Sequence, residues 1–190
     1  MRLGIFGGSF DPPHLGHLLP VLDAAESLGL DAVRFVPAAT PPFKVGRVGA
    51  GSELRMAMTA RLVSRVPGFS ADSMEIDRAG LSFTVDTLAT LRAANPDAEL
   101  LLLVGADAFA MFDQWRDPDR IQALASIAVL MRGEREVPEA GGRAGVTFLQ
   151  SRRVDISSTE LRARVAAGRT IRGFVPDDVA DYIAEHRLYR

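Results

Sequence analysis

The sequence predicts an α/β protein with a doubly wound, Rossmann-like, mostly parallel sheet flanked by helices and followed by a C-terminal helical segment. Two observations support this fold class. Apolar runs without polar alternation, at residues 3–6, 32–36 and 100–104, are typical of strands buried on both faces. Helical patterns lie between these runs, and such alternation is typical of βαβ units, which bind ligands at the carboxyl ends of their strands.

The remaining elements follow in chain order. Apolar residues recur at helical spacing from Leu18 to Leu28, with Gly29 as the stop and Pro20 expected near the first turn. Further helices are expected at residues 52–64, 84–94 and 119–125, and less strongly marked strands at 127–131 and 146–149. Residues 132–145 are polar and rich in glycine and proline, which predicts an exposed loop.

Two helices are expected near the C-terminus. Ser157 and Glu160 match a capping box, and Gly168 provides the stop of that helix. Pro176 suits the first position of the last helix, where the two aspartates after it favour the positive end of the helix dipole. His186, near the end of that helix, is expected at the surface without a functional role.

Length and composition limit the classes of function. A chain of 190 residues is expected to form one domain over residues 1–190. The net charge of −2 gives no basic field for nucleic acid, and the absence of cysteine removes disulfides and thiolate sites. The first strand begins directly after Met1 and no apolar run reaches about 20 residues, so we expect a cytoplasmic protein without a signal peptide or membrane span.

The stretch GIFGGSFDPPHLGHL contains two of the three histidines of the chain. Gly7 and Gly8 are expected to turn the backbone after the first strand and to let a ligand approach closely. A helix starting near His14 would present free N–H groups, and the rings of His14 and His17 would share one face. Together these groups favour a polyphosphate ligand, although a purely structural turn is compatible with the same residues.

Two motifs give the stretch a family resemblance. GSFDPPHLGH resembles the HxGH signature of the nucleotidyltransferase superfamily, and ISSTELR near the C-terminus resembles its second signature. LSFTVDTL, LLLVGADAFAMFDQW and VPAATPPFK resemble bacterial nicotinate-nucleotide adenylyltransferases in particular. The resemblance extends from Gly4 to the closing HRLYR and therefore covers nearly the whole chain.

The resemblance implies a reaction. This family joins nicotinate mononucleotide to the AMP moiety of ATP and gives deamido-NAD and pyrophosphate. The phosphate of the mononucleotide attacks the α-phosphorus in line, without a covalent enzyme intermediate. Mg²⁺ is the implied cofactor and shares the phosphate charge, while no protein residue is assigned to the metal. Asp11 lies near the predicted phosphate site, but we expect a structural role for it.

The resemblance also implies the residues of the ATP site. His17 would hydrogen-bond the α-phosphate, His14 would support it, and Arg162 would grip the β- and γ-phosphates. Asp107 would accept protons from the ribose hydroxyls, although it is also suited to capping the helix that follows. The implied ATP-binding set is Gly7, Gly8, Ser9, Phe10, His14, His17, Gly105, Asp107, Ser157, Ser158, Thr159 and Arg162.

The mononucleotide site is implied in the same way. Trp115 would stack on the pyridine ring, instead of packing in the core as a lone tryptophan usually does. Thr84 and the backbone amide of Arg116 would hold the nicotinate carboxylate, which selects nicotinate over nicotinamide. The side chain of Arg116 is an additional candidate for an anion contact. The implied set is Gly8, Ser9, Phe10, Lys44, Thr84, Thr87, Trp115 and Arg116.

Lys44 is the only lysine of the chain and completes the implied catalytic set of His17, His14, Lys44 and Arg162. It would reach the triphosphate or the mononucleotide phosphate from the loop after the second strand, whereas a solvated loop lysine is the alternative. Many relatives have a histidine where this chain has Phe43, which weakens the expectation of phosphate contacts from that loop.

Three alternatives remain at this point. Pantetheine-phosphate adenylyltransferases share the superfamily signatures but are generally shorter and usually have threonine at the place of His14. A class I aminoacyl-tRNA synthetase fragment would need an anticodon-binding domain, for which the chain has no room, and a basic surface. A non-catalytic nucleotide sensor could use the same fold. ATP and the mononucleotide are the expected partners, and the sequence leaves a monomer and a homo-oligomer equally open.

Overall fold

The computed structural model describes residues 1–41, 49–132 and 144–190. No helix within these ranges is both long and apolar enough to cross a lipid bilayer. A 3₁₀ turn, Phe112–Gln114, lies between two of the helices. In chain order the other elements are β1 (Arg2–Gly8), α1 (Leu15–Leu28), β2 (Ala32–Pro37), α2 (Ser52–Val63), β3 (Phe69–Ala71), α3 (Met74–Arg78), α4 (Thr84–Ala94), β4 (Glu99–Gly105), α5 (Ala106–Phe109), α6 (Pro118–Leu124), β5 (Ser126–Arg132), β6 (Val146–Ser151), α7 (Ser158–Ala166) and α8 (Asp177–Glu185).

The strands form one six-stranded sheet of order β3–β2–β1–β4–β5–β6. Every pairing between neighbouring strands is parallel, which confirms the predicted doubly wound architecture. The strand order reverses between β1 and β4, where Phe6 pairs with Leu103. In such sheets the crevice at the carboxyl ends of the two strands that flank the reversal is the preferred ligand site. A ligand site is therefore expected at the carboxyl ends of β1 and β4.

Both faces of the sheet are buried, which explains why its strands have no polar alternation. In β1, Leu3 and Ile5 join the core on the face covered by α4 and α6, whereas Phe6 packs on the face covered by α1, α2 and α8. In β4 the neighbouring residues Leu102 and Leu103 likewise join the cores on opposite faces of the sheet. Because both faces of the sheet are packed, the loops at the carboxyl ends of its strands are the part of this layer that remains available for a site.

Several sequence expectations need correction. Strand β3 and helix α3 were not expected, because three and five residues are too short to show a periodic pattern. Helix α1 begins at Leu15, so Pro20 lies in its second turn and not near its first. Pro176 is the N-cap of α8 and precedes its first helical residue. The predicted stop at Gly29 is confirmed by its left-handed backbone, with φ of 58°.

Candidate active site

A cavity of about 980 Å³ opens at the point where the strand order reverses. It extends from the ends of β1 and β4 to the start of α4 and to the segment after the 3₁₀ turn. Residues of three stretches that were singled out in the sequence, at the ends of β1, β2 and β4, line this cavity, as the topology predicts. The predicted site residues that line it are Gly7, Gly8, Ser9, His17, Thr84, Thr87, Gly105, Asp107, Trp115 and Arg116.

Gly7 and Gly8 do not form the turn that the sequence predicted for them. Gly7 and Gly8 belong to the strand, and the turn is made by Phe10, whose φ is 48°. The fully buried ring of Phe10 folds back over Gly8, so that a Cβ atom on Gly8 would lie 2.9 Å from the ring. Gly8 is therefore required for the close approach of Phe10, and both glycines leave the cavity floor as bare backbone.

His14 and His17 are adjacent, as predicted. Their ring centroids lie 3.8 Å apart, with His14 buried and His17 facing the cavity. Nδ1 of His17 accepts a hydrogen bond from the backbone N–H of His14 at 3.3 Å. A neutral imidazole that accepts at Nδ1 has its proton on Nε2. His17 is thereby prepared as a hydrogen-bond donor, and the edge contact of Phe10 at 5.1 Å holds its ring.

The start of α1 offers fewer free amides than predicted. The N–H of Leu15 donates to the carbonyl of Phe174 at 3.0 Å, and the N–H of His17 donates to the carbonyl of His14 at 2.8 Å. Gly16 is needed here for a steric reason, because a Cβ atom would lie 2.9 Å from the His14 ring and 3.2 Å from the carbonyl of Ile156. At the start of α1 the ring of His17 therefore faces the cavity, whereas these two amides are paired within the protein.

The second motif lies directly against the first. Ser158 donates to the carbonyl of Pro12 at 2.8 Å, and Nη1 of Arg162 donates to the carbonyl of Asp11 at 2.7 Å. Nη2 of Arg162 lies 3.2 Å from the Thr159 hydroxyl. Ser157 is the N-cap of α7 and accepts the N–H of Glu160 at 3.1 Å, as the capping box predicts. The fold therefore brings together two motifs that are almost 150 residues apart.

Asp11 has the structural role that the sequence suggested. Its buried carboxylate accepts the N–H groups of Gly49 at 2.6 Å and Ala50 at 3.0 Å, as well as the hydroxyl of Tyr189 at 2.7 Å. Nη1 of Arg162 lies 3.7 Å from the same carboxylate. Asp11 therefore connects the loop after β1 with the segment before α2, with α7 and with the C-terminus.

A buried arginine supports the same loops from behind. Arg55 is 1% exposed, and its guanidinium donates to the carbonyls of Ser9 at 2.8 Å, Ala39 at 2.9 Å and Ala50 at 3.1 Å. Burial lowers the pKa of Arg55, and the nearby Asp11 carboxylate opposes that shift. Ser9 follows β1, and Ala39 and Ala50 lie near the two ends of the connection between β2 and α2. Arg55 therefore joins the loop after β1 to both ends of that connection.

At the end of β4, Gly105 is the N-cap of α5, and Asp107 lies exposed in the first turn with its side chain towards the cavity. The alternative role of Asp107 as the helix cap is therefore wrong, since Gly105 occupies that position. Among the described residues, no group of three or more histidine, aspartate or glutamate side chains is arranged to hold a metal ion.

The far wall of the cavity contains the residues that were predicted to bind the pyridine ring. Trp115 is half-buried, with its ring centroid 5.5 Å from that of Phe112, and it lines the cavity together with Thr84. The guanidinium of Arg116 lies 4.7 Å from the Phe83 ring centroid and 3.8 Å from the carboxylate of Asp86. An aromatic face, a helix start and a cation therefore meet at one place.

Thr87 is buried in the same wall, where its hydroxyl donates to Oε1 of Glu75 at 2.5 Å. Lys44 and Phe43 lie outside the described residues, as does most of the predicted exposed loop at 132–145. The described part of the preceding loop is fixed, because the N–H of Ala39 donates to the hydroxyl of Ser82 at 2.9 Å and the N–H of Ser82 donates to the carbonyl of Thr40 at 3.0 Å.

Comparison with known proteins identifies the family of this chain. A family model described as cytidylyltransferase-like matches residues 5–164. A probable nicotinate-nucleotide adenylyltransferase of Gemmatimonas aurantiaca is 48% identical over 197 residues, which cover 100% of this chain and 93% of the relative. A protein of Thermus thermophilus with the same name is 44% identical over 190 residues, which cover all of both chains. The chain belongs to the nicotinate-nucleotide adenylyltransferase family.

Solved structures show the same fold at low sequence identity. Plasmodium falciparum nicotinic acid mononucleotide adenylyltransferase complexed with APC superposes with a TM-score of 0.80 at 17% identity, covering 99% of this chain and 96% of the other. The same protein complexed with NaAD gives a TM-score of 0.82 at 19% identity, with 99% and 97% covered. The architecture of this family therefore persists where most side chains differ.

Sequence reasoning missed three residues that shape the site, namely Arg55, Glu75 and Tyr189. Their contacts depend on how loops and helices pack together, and none of the three residues belongs to a motif with a recognisable spacing. Arg55 lies on a helix with weak amphipathic character, where an arginine is ordinarily expected to face solvent. Only the closing HRLYR, which took part in the family resemblance, hinted at Tyr189.

Proposed function

We propose that this protein transfers the AMP moiety of ATP to nicotinate mononucleotide and releases pyrophosphate, as a single nucleotidyltransferase domain over residues 1–190. One observation carries the proposal. The cavity that holds His17 and the bare backbone of Gly7 and Gly8 is the same cavity that holds Thr84 and Trp115. At about 980 Å³ it is at the upper end of the range for small-molecule sites and has room for two nucleotides to meet.

In the proposed reaction, an oxygen of the mononucleotide phosphate forms a bond to the α-phosphorus of ATP. The bond from that phosphorus to the bridging oxygen breaks, and pyrophosphate leaves with the electron pair. Nε2–H of His17 donates a hydrogen bond to the α-phosphate. This hydrogen bond becomes stronger as negative charge develops on the phosphate in the transition state. No protein nucleophile takes part, so the protein contributes mainly position and charge.

The triphosphate is proposed to extend from His17 towards the start of α7. Arg162 is held by the carbonyl of Asp11 and has further N–H donors for the β- and γ-phosphates. The sequence predicted that His14 supports the phosphates, but its ring is buried against His17, so it is proposed to support that ring instead. The N-terminus of α7 adds the positive end of its dipole. Lys44 is proposed as a further phosphate contact. Mg²⁺ enters with ATP as part of the substrate and shares the phosphate charge.

The adenosine and pyridine groups occupy the two ends of the cavity in this proposal. Asp107 accepts protons from the ribose hydroxyls at the end of β4. Trp115 stacks on the pyridine ring, and the Thr84 hydroxyl and the backbone N–H of Arg116 donate to the nicotinate carboxylate. Ser158 has a different role from the predicted phosphate contact, because its proton already goes to the carbonyl of Pro12. The reaction is proposed to take place in the cytoplasm.

The decisive experiment measures pyrophosphate release from Mg-ATP with nicotinate mononucleotide, nicotinamide mononucleotide and phosphopantetheine as parallel acceptors. The proposal predicts turnover that strongly favours nicotinate mononucleotide. Equal turnover with the nicotinamide form would retain the reaction and contradict the proposed carboxylate site. Turnover with phosphopantetheine alone would assign the protein to the other branch of the superfamily, and no turnover with any acceptor would favour a nucleotide sensor.

A further inference from the structure

Glu75 is an acidic residue in an unusual place. It lies on α3, is 7% exposed and lines the same cavity as Thr84 and Trp115. Only one other acidic residue of the described chain, Asp11, is as deeply buried. Asp11 is compensated by backbone N–H groups, a phenol and a nearby arginine, whereas the closest contact of Glu75 is the neutral hydroxyl of Thr87 at 2.5 Å.

We propose that Glu75 is a specificity-determining residue of the acceptor site, and that its charge sets the preference for a pyridine carboxylate over a pyridine carboxamide. This inference rests on the proposed function, because it concerns the acceptor that the cavity takes. Glu75 acts on the ring substituent from the cavity wall. Thr84 and Trp115 hold the same ring from the helix start and from its face.

The expected effect of Glu75 is electrostatic. Two ionised carboxylates that share a cavity of low polarity repel each other strongly, so an ionised Glu75 would disfavour nicotinate. The same ionised group would accept a hydrogen bond from the NH₂ of a carboxamide and favour nicotinamide. A neutral Glu75 reverses both effects, because it carries no charge and has an O–H that can donate to a carboxylate.

The surroundings of Glu75 favour its neutral form. Burial raises its pKa above the ordinary value for glutamate, and the Asp86 carboxylate on α4 adds to that rise. Hydrogen bonds from Thr87 and Ser82 and the charge of Arg78 on α3 oppose it without cancelling it. Two arginines near this wall lie close to aspartates, since Arg116 lies 3.8 Å from Asp86 and Arg34 of β2 lies 2.7 Å from Asp72.

The test compares acceptors instead of absolute rates. The ratio of kcat/KM for nicotinate mononucleotide to that for nicotinamide mononucleotide is measured from about pH 5.5 to about pH 9. Both acceptors carry the same phosphate, so titration of that phosphate and of ATP affects both acceptors equally and cancels in the ratio. We expect the ratio for the wild-type protein to fall by about tenfold or more with rising pH, as Glu75 ionises.

Two variants identify the titrating group. Glu75→Gln should give a ratio that does not change with pH, since glutamine is neutral throughout. Thr87→Val removes a hydrogen bond that stabilises the ionised carboxylate, so the fall should move to higher pH. Glu185→Gln, which changes an exposed glutamate at the end of α8, is the matched control and should reproduce the wild-type profile.

The outcomes separate this inference from the proposed function. A fall with pH that is identical in the wild-type protein and in Glu75→Gln would overturn the inference, as would a ratio that does not depend on pH in the wild type. If Glu75→Gln does not fold, the position of the fall in Thr87→Val decides, and an unshifted fall counts against the inference. Absence of turnover with either acceptor in the wild-type protein would instead overturn the proposed function.

Discussion

The hydroxyl of Tyr189 donates a 2.7 Å hydrogen bond to Oδ1 of Asp11, and so joins the penultimate residue to the loop after the first strand. Burial raises the pKa of Tyr189, and the Asp11 carboxylate raises it further, so the phenol remains a neutral donor at physiological pH. The carbonyl of the same aspartate anchors Arg162. The C-terminus is therefore connected through Asp11 to Arg162 of α7.

Tyr189→Phe should destabilise the fold. Removing a hydrogen bond to a buried carboxylate costs about 2 kcal/mol, which corresponds to a Tm lower by roughly 4–8 °C for a chain of this size. Tyr182→Phe is the matched control, because Tyr182 contacts Arg61 and His186 through its ring. Thermal unfolding followed by circular dichroism measures both variants. Equal Tm values for the two would show that the Asp11 contact contributes nothing to stability.

Arg162→Lys should impair the use of ATP without unfolding the protein. A lysine lacks the planar guanidinium group that can donate to the Asp11 carbonyl and to a phosphate at the same time. We therefore expect kcat/KM for ATP to fall by about 10²–10³. Arg164→Lys changes the neighbouring arginine of α7, which contacts Thr170 and Phe174, and should leave catalysis unchanged. Steady-state pyrophosphate release at varied ATP gives the comparison. Similar kinetics for the two variants would remove Arg162 from the phosphate site.

His17→Ala should lose kcat far more than stability. The Nε2–H donor that the contact with His14 prepares is proposed to bind the α-phosphate most strongly in the transition state, so kcat should fall by about 10²–10³ with a much smaller change in KM. His186→Ala removes an exposed histidine on α8 and provides the control. An unchanged kcat in His17→Ala would contradict the proposed mechanism.

The fold was largely predictable because its signals are local. Uninterrupted apolar runs identify strands buried on both faces, and the stop at Gly29 and the cap at Ser157 are properties of a few neighbouring residues. Signals failed where an element was short or began unusually. Strand β3 has only three residues, and Pro176 is the N-cap of α8, whereas the sequence predicted it at the first helical position.

The site was predictable only in part, because its remaining features depend on how side chains pack in three dimensions. The reason for Gly8 is the ring of Phe10, and the reason for Gly16 includes the carbonyl of Ile156 on another element. Glu75 shows nothing in the sequence that separates it from a surface glutamate, since only the packing of α3 against the sheet buries it. Such features require the three-dimensional arrangement before they can be recognised.

Trp115→Ala should weaken the binding of nicotinate mononucleotide and leave the binding of ATP unchanged. Stacking of a ring on an aromatic side chain contributes about 1–3 kcal/mol, so KM for nicotinate mononucleotide should rise by about 10- to 100-fold. Trp115→Phe keeps an aromatic face and should retain most of the affinity. Because Trp115 is the only tryptophan, its fluorescence in the wild-type protein should change on titration with the mononucleotide. A rise in KM for ATP of the same size would place Trp115 outside the acceptor site.

Glu75→Gln should also change how stability depends on pH. The folded-state pKa of Glu75 is raised by burial above its unfolded value of about 4.3, so the folded state holds this proton more tightly than the unfolded state. The free energy of unfolding of the wild-type protein therefore decreases as pH rises from that unfolded value through the folded-state pKa. Glutamine has no proton to lose, so the stability of the variant relative to the wild type should increase over this window and then level off. Urea unfolding at a series of pH values, with Glu185→Gln as control, measures the difference, and a difference that stays constant with pH would mean that Glu75 titrates normally.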